Sequence, residues 1–269
     1  MKFIIALLIF LFPLYLFLIA PRMWKRADRK PFMNYHYAHR GLFDNASDAP
    51  ENSLLAFQRA VDAGYGIELD LQLSKDNQLV IFHDATLERM CGVKGNVWDY
   101  TLEELQKLKL ADSDQTIPTF EDFLKIVDEK VPFILEFKLD RPQTKVCQLT
   151  NEKLKNYKGI YCIESFHPLA LLWYRKHRPD ILRGQLSEEL FRDEKYKGKL
   201  IYTATSFLLF NFTVRPDFIA YNHLHADNIS RRICRRMGPL SVTYTIKSQK
   251  EYLDNKKNFD LFIFDNCRL

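Results

Sequence analysis

The sequence has few cysteines and no paired ones. Cys91, Cys147, Cys162, Cys234 and Cys267 are odd in number, and none stands in a CxxC pair. This argues against a disulfide framework or a zinc cluster and suits a reducing compartment. Cys147 and Cys162 sit in apolar surroundings and read as buried thiols. Internal repeats, low-complexity stretches and a second-domain boundary are also missing. So is a spread of positive charge. The net charge is +5, and residues 1–30 hold Lys2, Arg22, Lys25, Arg26, Arg29 and Lys30 against Asp28, which leaves the rest neutral. A nucleic-acid binder spreads basic residues over its folded surface. Here the excess borders an apolar run and reads as a membrane-side feature.

What is present is an ordinary globular balance, 47% hydrophobic and 27% charged in 269 residues, outside the disordered range. Phe3–Ala20 is a run of 18 residues without a charge, near the minimum for a membrane-spanning helix. It exceeds a signal-peptide core, and Pro21 is a poor neighbour for cleavage, so an uncleaved anchor kinked at Pro13 is expected. More basic residues follow the run than precede it, which places the folded part in the cytoplasm and the chain as a single-pass cell-membrane protein. The expected organisation is an anchor at 1–21, a basic juxtamembrane linker at 22–34 and one domain at 35–269.

From residue 35 onward, strand-length apolar runs alternate with amphipathic stretches. Strands are expected at Tyr35–His39, Gly66–Leu73, Leu79–His83, Pro132–Lys138, Gly159–Glu164, Ile181–Leu186, Phe218–Tyr221, Val242–Thr245 and Leu261–Phe264. Helices are expected at Ser53–Ala63, Thr119–Glu129, Leu169–Lys176 and Ser248–Asn255, several opening on a Ser, Thr or Asn cap. Nearly continuous apolar strands separated by helices argue for a parallel sheet covered on both faces. About eight such units in this length give an α/β fold, a (β/α)₈ TIM barrel. The irregular stretch 85–118 reads as an insertion at its mouth.

Several charged residues interrupt the apolar strands. Glu68 and Asp70 stand at i, i+2 and share a face. Two such carboxylates are costly to bury unless a cation neutralises them. A divalent metal would do so, and all-oxygen ligation suits Mg²⁺ or Ca²⁺; a capped or salt-bridged pair is the alternative. Glu136 and Lys138 repeat the spacing, as a third ligand and a phosphate contact or as an internal ion pair. His39 and His83 end strands beside Arg40 and Asp84, where a barrel's catalytic mouth opens. Arg40 offers a fork suited to phosphate, and Gly41 permits close approach. Glu51, Asn52 and Ser53 precede a helix, as caps or as support for the metal region. His36, His167, His177, His223 and His225 read as structural or surface residues.

Taken in order, HRG at 39–41, PENS at 50–53, ELD at 68–70, HD at 83–84 and ExK at 136–138 resemble the glycerophosphodiester phosphodiesterase family. The resemblance runs over residues 35–269 and includes Ser165-Phe166 and Asp265-Asn266. It implies a phospholipase-C-like phosphodiesterase barrel and metal-dependent hydrolysis of glycerophosphodiesters to glycerol 3-phosphate and an alcohol. It implies His39 and His83 as the acid/base pair and Glu68, Asp70 and Glu136 as ligands of one Mg²⁺ or Ca²⁺. Arg40 and Lys138 would contact phosphate, with Glu51 and Asn52 in support. Where the family has a tryptophan on the seventh strand, this chain has Tyr244, which keeps an aromatic wall for the glycerol but changes its shape. The rival readings are a lysophospholipase D-type hydrolase on the same fold and a catalytically inactive membrane-tethered binding protein.

Overall fold

The computed structural model describes residues 2–139, 141, 143–265 and 267–269, and the backbone alone within 2–10. The strands are β1 (Tyr37–His39), β2 (Gly66–Leu73), β3 (Leu79–Ile81), β4 (Phe133–Phe137), β5 (Tyr161–Ser165), β6 (Arg183–Ser187), β7 (Phe218–Asn222), β8 (Leu240–Ile246) and β9 (Leu261–Phe264). All except β3 pair in parallel around a ring that closes where β1 meets both β9 and β2. This is the eight-stranded barrel that the alternation of runs predicts.

Local chemistry starts the helices. Ser53, Thr119 and Ser248 cap Leu54–Asp62, Phe120–Val127 and Gln249–Asn255, each accepting from a backbone N–H in the first turn. That satisfies donors the helix itself leaves unpaired. Ile67, Leu69 and Leu71 on β2 turn outward and join Phe57, Phe120 and Phe123 in the core between barrel and helices. The opposite parity fills the barrel. Tyr37, Ile134, Cys162, Phe218, Leu240 and Leu261 form an apolar plug at the N-terminal ends of the strands. Two residues further along the same inward rows stand His39, Glu136 and Glu164. A period of two thus carries each row from plug to the mouth at the strands' C-terminal ends.

The run Leu79–His83 reads as a barrel strand, and here the structure differs. β3 runs antiparallel to β2, with Leu73 opposite Leu79 and Leu71 opposite Ile81. The chain overshoots the mouth along β2, turns at Ser74–Gln78 and comes back down, so His83 enters from above. A five-residue return is short enough for a hairpin, whereas a parallel crossover needs a dozen residues or more. The insertion at 85–118 then builds its own core from Val80, Phe82, Leu87, Met90, Val97, Leu105, Leu110 and Ile117.

The N-terminal run forms the helix Lys2–Ile19. The anchor expected at 1–21 falls in part outside the described residues, namely at Met1 and the side chains of 2–10. Among the described residues no helix is long and apolar enough to cross a membrane. The last turns of the helix lie against the barrel. Ile19 is buried, the Tyr15 hydroxyl is 2.7 Å from Ser230 Oγ, and Asn211 donates to the Ile19 carbonyl. Residues 22–34 are tied down as well. Arg26 and Arg29 donate to the Gly238 carbonyl, and Phe32 closes the lower end of the barrel, where the Tyr37 hydroxyl donates to its carbonyl.

Candidate active site

The mouth of the barrel holds a cavity of about 410 Å³ lined by His39, Arg40, Glu68, His83, Glu136, Lys138, Glu164 and Tyr244, among others. Strand register brings its acids together. His39 stands beside Glu68, while Asp70, Glu136 and Glu164 lie side by side on β2, β4 and β5. One oxygen from each of Glu68, Asp70 and Glu136 lies within 4.8 Å of the others.

Among the described residues, four buried carboxylates face two cations. Lys138 Nζ lies 3.0 Å from Asp70 Oδ1 and 2.6 Å from Glu136 Oε1, and Arg40 Nε lies 3.4 Å from Asp70 Oδ2. Burial, reinforced by Asp70, Glu136 and Glu164, holds Glu68 well above the usual carboxylate range. Burial acts on Asp70 in the same sense, but Lys138, His83 and Arg40 outweigh it and hold Asp70 down. Glu136 is raised, by burial first, against the pull of Lys138. Glu164 is raised well above its ordinary value by burial and by Glu136. Glu68 Oε1 is buried without a hydrogen-bond partner. An orphaned carboxylate oxygen, and two more carboxyl groups than cations, are what a divalent cation would satisfy, so the triad fits a metal.

Both histidines are held by a carboxylate at Nδ1. His39 Nδ1 is 3.4 Å from Asp265 Oδ2, and His83 Nδ1 is 2.6 Å from Asp84 Oδ1. A carboxylate there favours the tautomer protonated at Nδ1 and leaves Nε2 free to exchange a proton. Burial pushes His39 down to about 4 against the pull of Asp265, which keeps the imidazole neutral. Gln72 on β2 fixes the approach to His83, donating to the carbonyls of Phe82, His83 and Asp84.

Glu51 and Asn52 stand behind the cavity. Glu51 Oε1 accepts from Arg40 and from Arg89, both at 2.6 Å, and Oε2 accepts from Arg89 at 2.9 Å and Asn45 at 3.0 Å. Glu51 therefore reaches Arg40 and not the acid triad. Asn52 donates to Asp70 Oδ2 at 2.8 Å. Arg40, Gly41 and Asn52 all have positive φ. For Arg40 and Asn52 this is strain of the kind that gathers at functional sites. At Gly41 a Cβ would sit 2.8 Å from the Ala56 carbonyl carbon, so the turn that presents Arg40 needs glycine.

Lys138, expected to touch phosphate, rests on Asp70 and Glu136. Tyr244 does wall the cavity, edge-on to Phe166 at 6.2 Å, with its hydroxyl donating to the Ser187 carbonyl. His223, read as structural, lines the mouth. Asn266 lies outside the described residues. Arg89 and Gln72 escape the sequence reading. Arg89 sits in an aperiodic insertion, where it pairs with Asp84 five residues back and with Glu51, 38 residues away.

Comparison with known proteins agrees with this geometry. The model of the glycerophosphoryl diester phosphodiesterase family matches residues 39–189, more than half of the chain. A glycerophosphodiester phosphodiesterase of Bacillus altitudinis is 35% identical over 54% of this chain and 63% of its own length. One from Caldanaerobacter subterraneus subsp. tengcongensis is 30% identical over 68% of this chain and 78% of its own. The chain thus spans a little under two thirds of the first relative. In fold, a phosphodiesterase of Oleispira antarctica, solved with the product sn-glycerol-3-phosphate, superposes with a TM-score of 0.69 at 23% identity, covering 87% of this chain and 93% of that one. On the matched family model and the identity to the Caldanaerobacter enzyme, this chain belongs to the glycerophosphoryl diester phosphodiesterase family.

Proposed function

We propose that this chain is a metal-dependent phosphodiester hydrolase that cleaves glycerophosphodiesters to glycerol 3-phosphate and an alcohol, in glycerophospholipid metabolism. One observation carries the reading. Two histidines, each held at Nδ1 by a carboxylate, open into the same cavity as Glu68 and Glu136 of the acid triad. Glu68, Asp70 and Glu136 would hold one Mg²⁺ or Ca²⁺. A cation held there would supply positive charge against a phosphate oxygen and lower the pKa of the attacking water or hydroxyl.

The chain's own residues do the rest. One of His39 and His83 accepts the proton of the attacking group, either water itself or a glycerol hydroxyl whose cyclic phosphate water then opens, and the other gives a proton to the departing alkoxide. Arg40, clamped by Glu51, presents its guanidinium to the phosphate. Lys138, held by Asp70 and Glu136, keeps Asp70 ionised and adds positive charge beside the phosphate. Tyr244 and Phe166 provide an apolar wall for the glycerol.

Leu224 lines the same mouth and is 74% exposed, which favours a lysophospholipid as an additional substrate. Membrane attachment through residues 3–20, with the barrel in the cytoplasm, belongs to the same proposal. It is supported by the uncharged run, by the basic residues after it and by the exposed Leu11, Phe12, Leu14 and Phe17.

The test is hydrolysis of glycerophosphocholine and lysophosphatidylcholine with Mg²⁺, with Ca²⁺ and with EDTA. Metal-dependent release of glycerol 3-phosphate from the first substrate is expected. Absence of hydrolysis across a diester panel with either metal would sink the proposal.

A further inference from the structure

We propose that the arginine-lined cavity at the foot of the N-terminal helix is an anion site that takes a phosphate group, separate from the catalytic mouth. The cavity measures about 560 Å³ and is lined by Arg22, Arg175, Arg183 and Arg215, with Phe17 and Trp24 at its apolar side. Arg183 opens β6, so the cavity lies at the N-terminal ends of the strands. The mouth lies at the other ends, roughly 17 Å away along a five-residue strand.

Charge is the first argument. Among the described residues, the one carboxylate paired with these four guanidiniums is Asp217, 3.3 Å from Arg22 and 3.5 Å from Arg183. Backbone carbonyls take some of the donors. Arg22 donates to Pro179, Arg175 to Phe212 and Thr213, Arg183 to Val214 and Arg215, and Arg215 to Phe17 and Ala20. Carbonyl capping accounts for those hydrogen bonds but leaves three positive charges unbalanced. Arg183 Nη1 is buried and has no hydrogen bond.

Mutual repulsion is the second argument. Burial lowers Arg183 to about 10 despite Asp217, with Arg22 and Arg175 pushing the same way. Arg215 is lowered by burial and by Arg175. The four guanidiniums therefore share one field, which a phosphate dianion would relieve. Each guanidinium is a planar fork that matches phosphate oxygens. Trp24, 80% exposed at the rim, gives the cavity an apolar lip. The phosphate can be a free anion or the headgroup of an anionic lipid, and both present the same chemistry.

Trp24 supplies a local reporter. Its emission in the full chain, isolated by difference against Trp24→Phe, would be titrated with inorganic phosphate. Parallel titrations would use vesicles containing phosphatidylglycerol and vesicles of phosphatidylcholine alone. A saturable change is expected that persists in Arg40→Gln, which removes the phosphate contact at the mouth and so separates the two sites. Arg175 is exposed at the surface, and Arg175→Gln should weaken the response about tenfold, the scale of one lost charged contact. Arg22→Gln combined with Arg175→Gln should weaken it further. A response to phosphate identifies a soluble anion; a response to phosphatidylglycerol vesicles alone identifies a headgroup. No Trp24 response to either probe, an equal response to phosphatidylcholine vesicles, or unchanged affinity in the Arg175 variant overturns the proposal.

Discussion

Replacing Glu51 with glutamine tests whether the clamp behind Arg40 matters. Both Glu51 oxygens accept two hydrogen bonds, all from Arg40, Arg89 and Asn45. An amide of the same shape must point its NH₂ at one pair of those donors. The magnitude follows from the carboxylate's acidity. Burial pushes Glu51 up, but Arg89 and Arg40 outweigh it and bring its pKa from 4.5 to about 2. That difference corresponds to roughly 3 kcal/mol at neutral pH. Arg89 is 45% exposed, so solvent screens its share and brings the figure to about 2 kcal/mol. The folded-state pKa is depressed, so this stability is complete above pH 4.5 and is lost as the pH falls toward 2. Urea denaturation of both proteins should show the full gap at pH 7 and about half of it at roughly pH 3. Arg40 would keep only its 3.4 Å approach to Asp70, and kcat/KM should fall about 10- to 100-fold. A gap under about 0.5 kcal/mol (the scatter of an ordinary surface substitution), or one that does not shrink on acidification, would refute the clamp.

Mg²⁺ or Ca²⁺ should raise the melting temperature of the wild type, and EDTA should reverse the rise. Glu68→Gln should melt higher than wild type in EDTA, because it removes one of four mutually repelling acids, and should gain nothing from metal; a normal metal shift would argue against the triad. His39→Ala and His83→Ala should each lower turnover about 10²- to 10⁴-fold with unchanged circular dichroism; near-normal turnover in either would remove that histidine from proton transfer. Gly41→Ala should destabilise by about 2–4 kcal/mol in urea, since a left-handed residue acquires a Cβ against the Ala56 backbone; a neutral result would mean that the turn can shift.

Much of the barrel is legible because its physics is local. The inward rows repeat every two residues, so spacing alone announces a shared face for Glu68 with Asp70 and for Glu136 with Lys138. Ser53, Thr119 and Ser248 announce helix starts in the same way. What the sequence hides is long-range. For Leu79–Ile81 the marker is loop length alone: five residues after Leu73 are too few for a parallel crossover, so the strand pairs backward onto β2. Arg89 has no periodicity to mark it, and its partner Glu51 lies on the far side of two strands. Asp265 is visible as part of a motif, but its place at His39 Nδ1 depends on barrel closure between β9 and β1. The basic stretch at 22–34 reads as a linker by composition, yet its arginines find backbone carbonyls at the strand starts.

The antiparallel return of β3 divides the two proposed proton-transfer histidines between two hydrophobic cores. His39 belongs to the barrel frame, whereas His83, Asp84 and Arg89 hang from an insertion with a core of its own. Smaller cores open more readily than large ones. Heating should therefore release the insertion first, separating the histidines while the barrel's circular dichroism persists. Thermal inactivation would then precede global melting, and the enzyme's working range would be set by the eight apolar residues of the insertion core and not by the barrel.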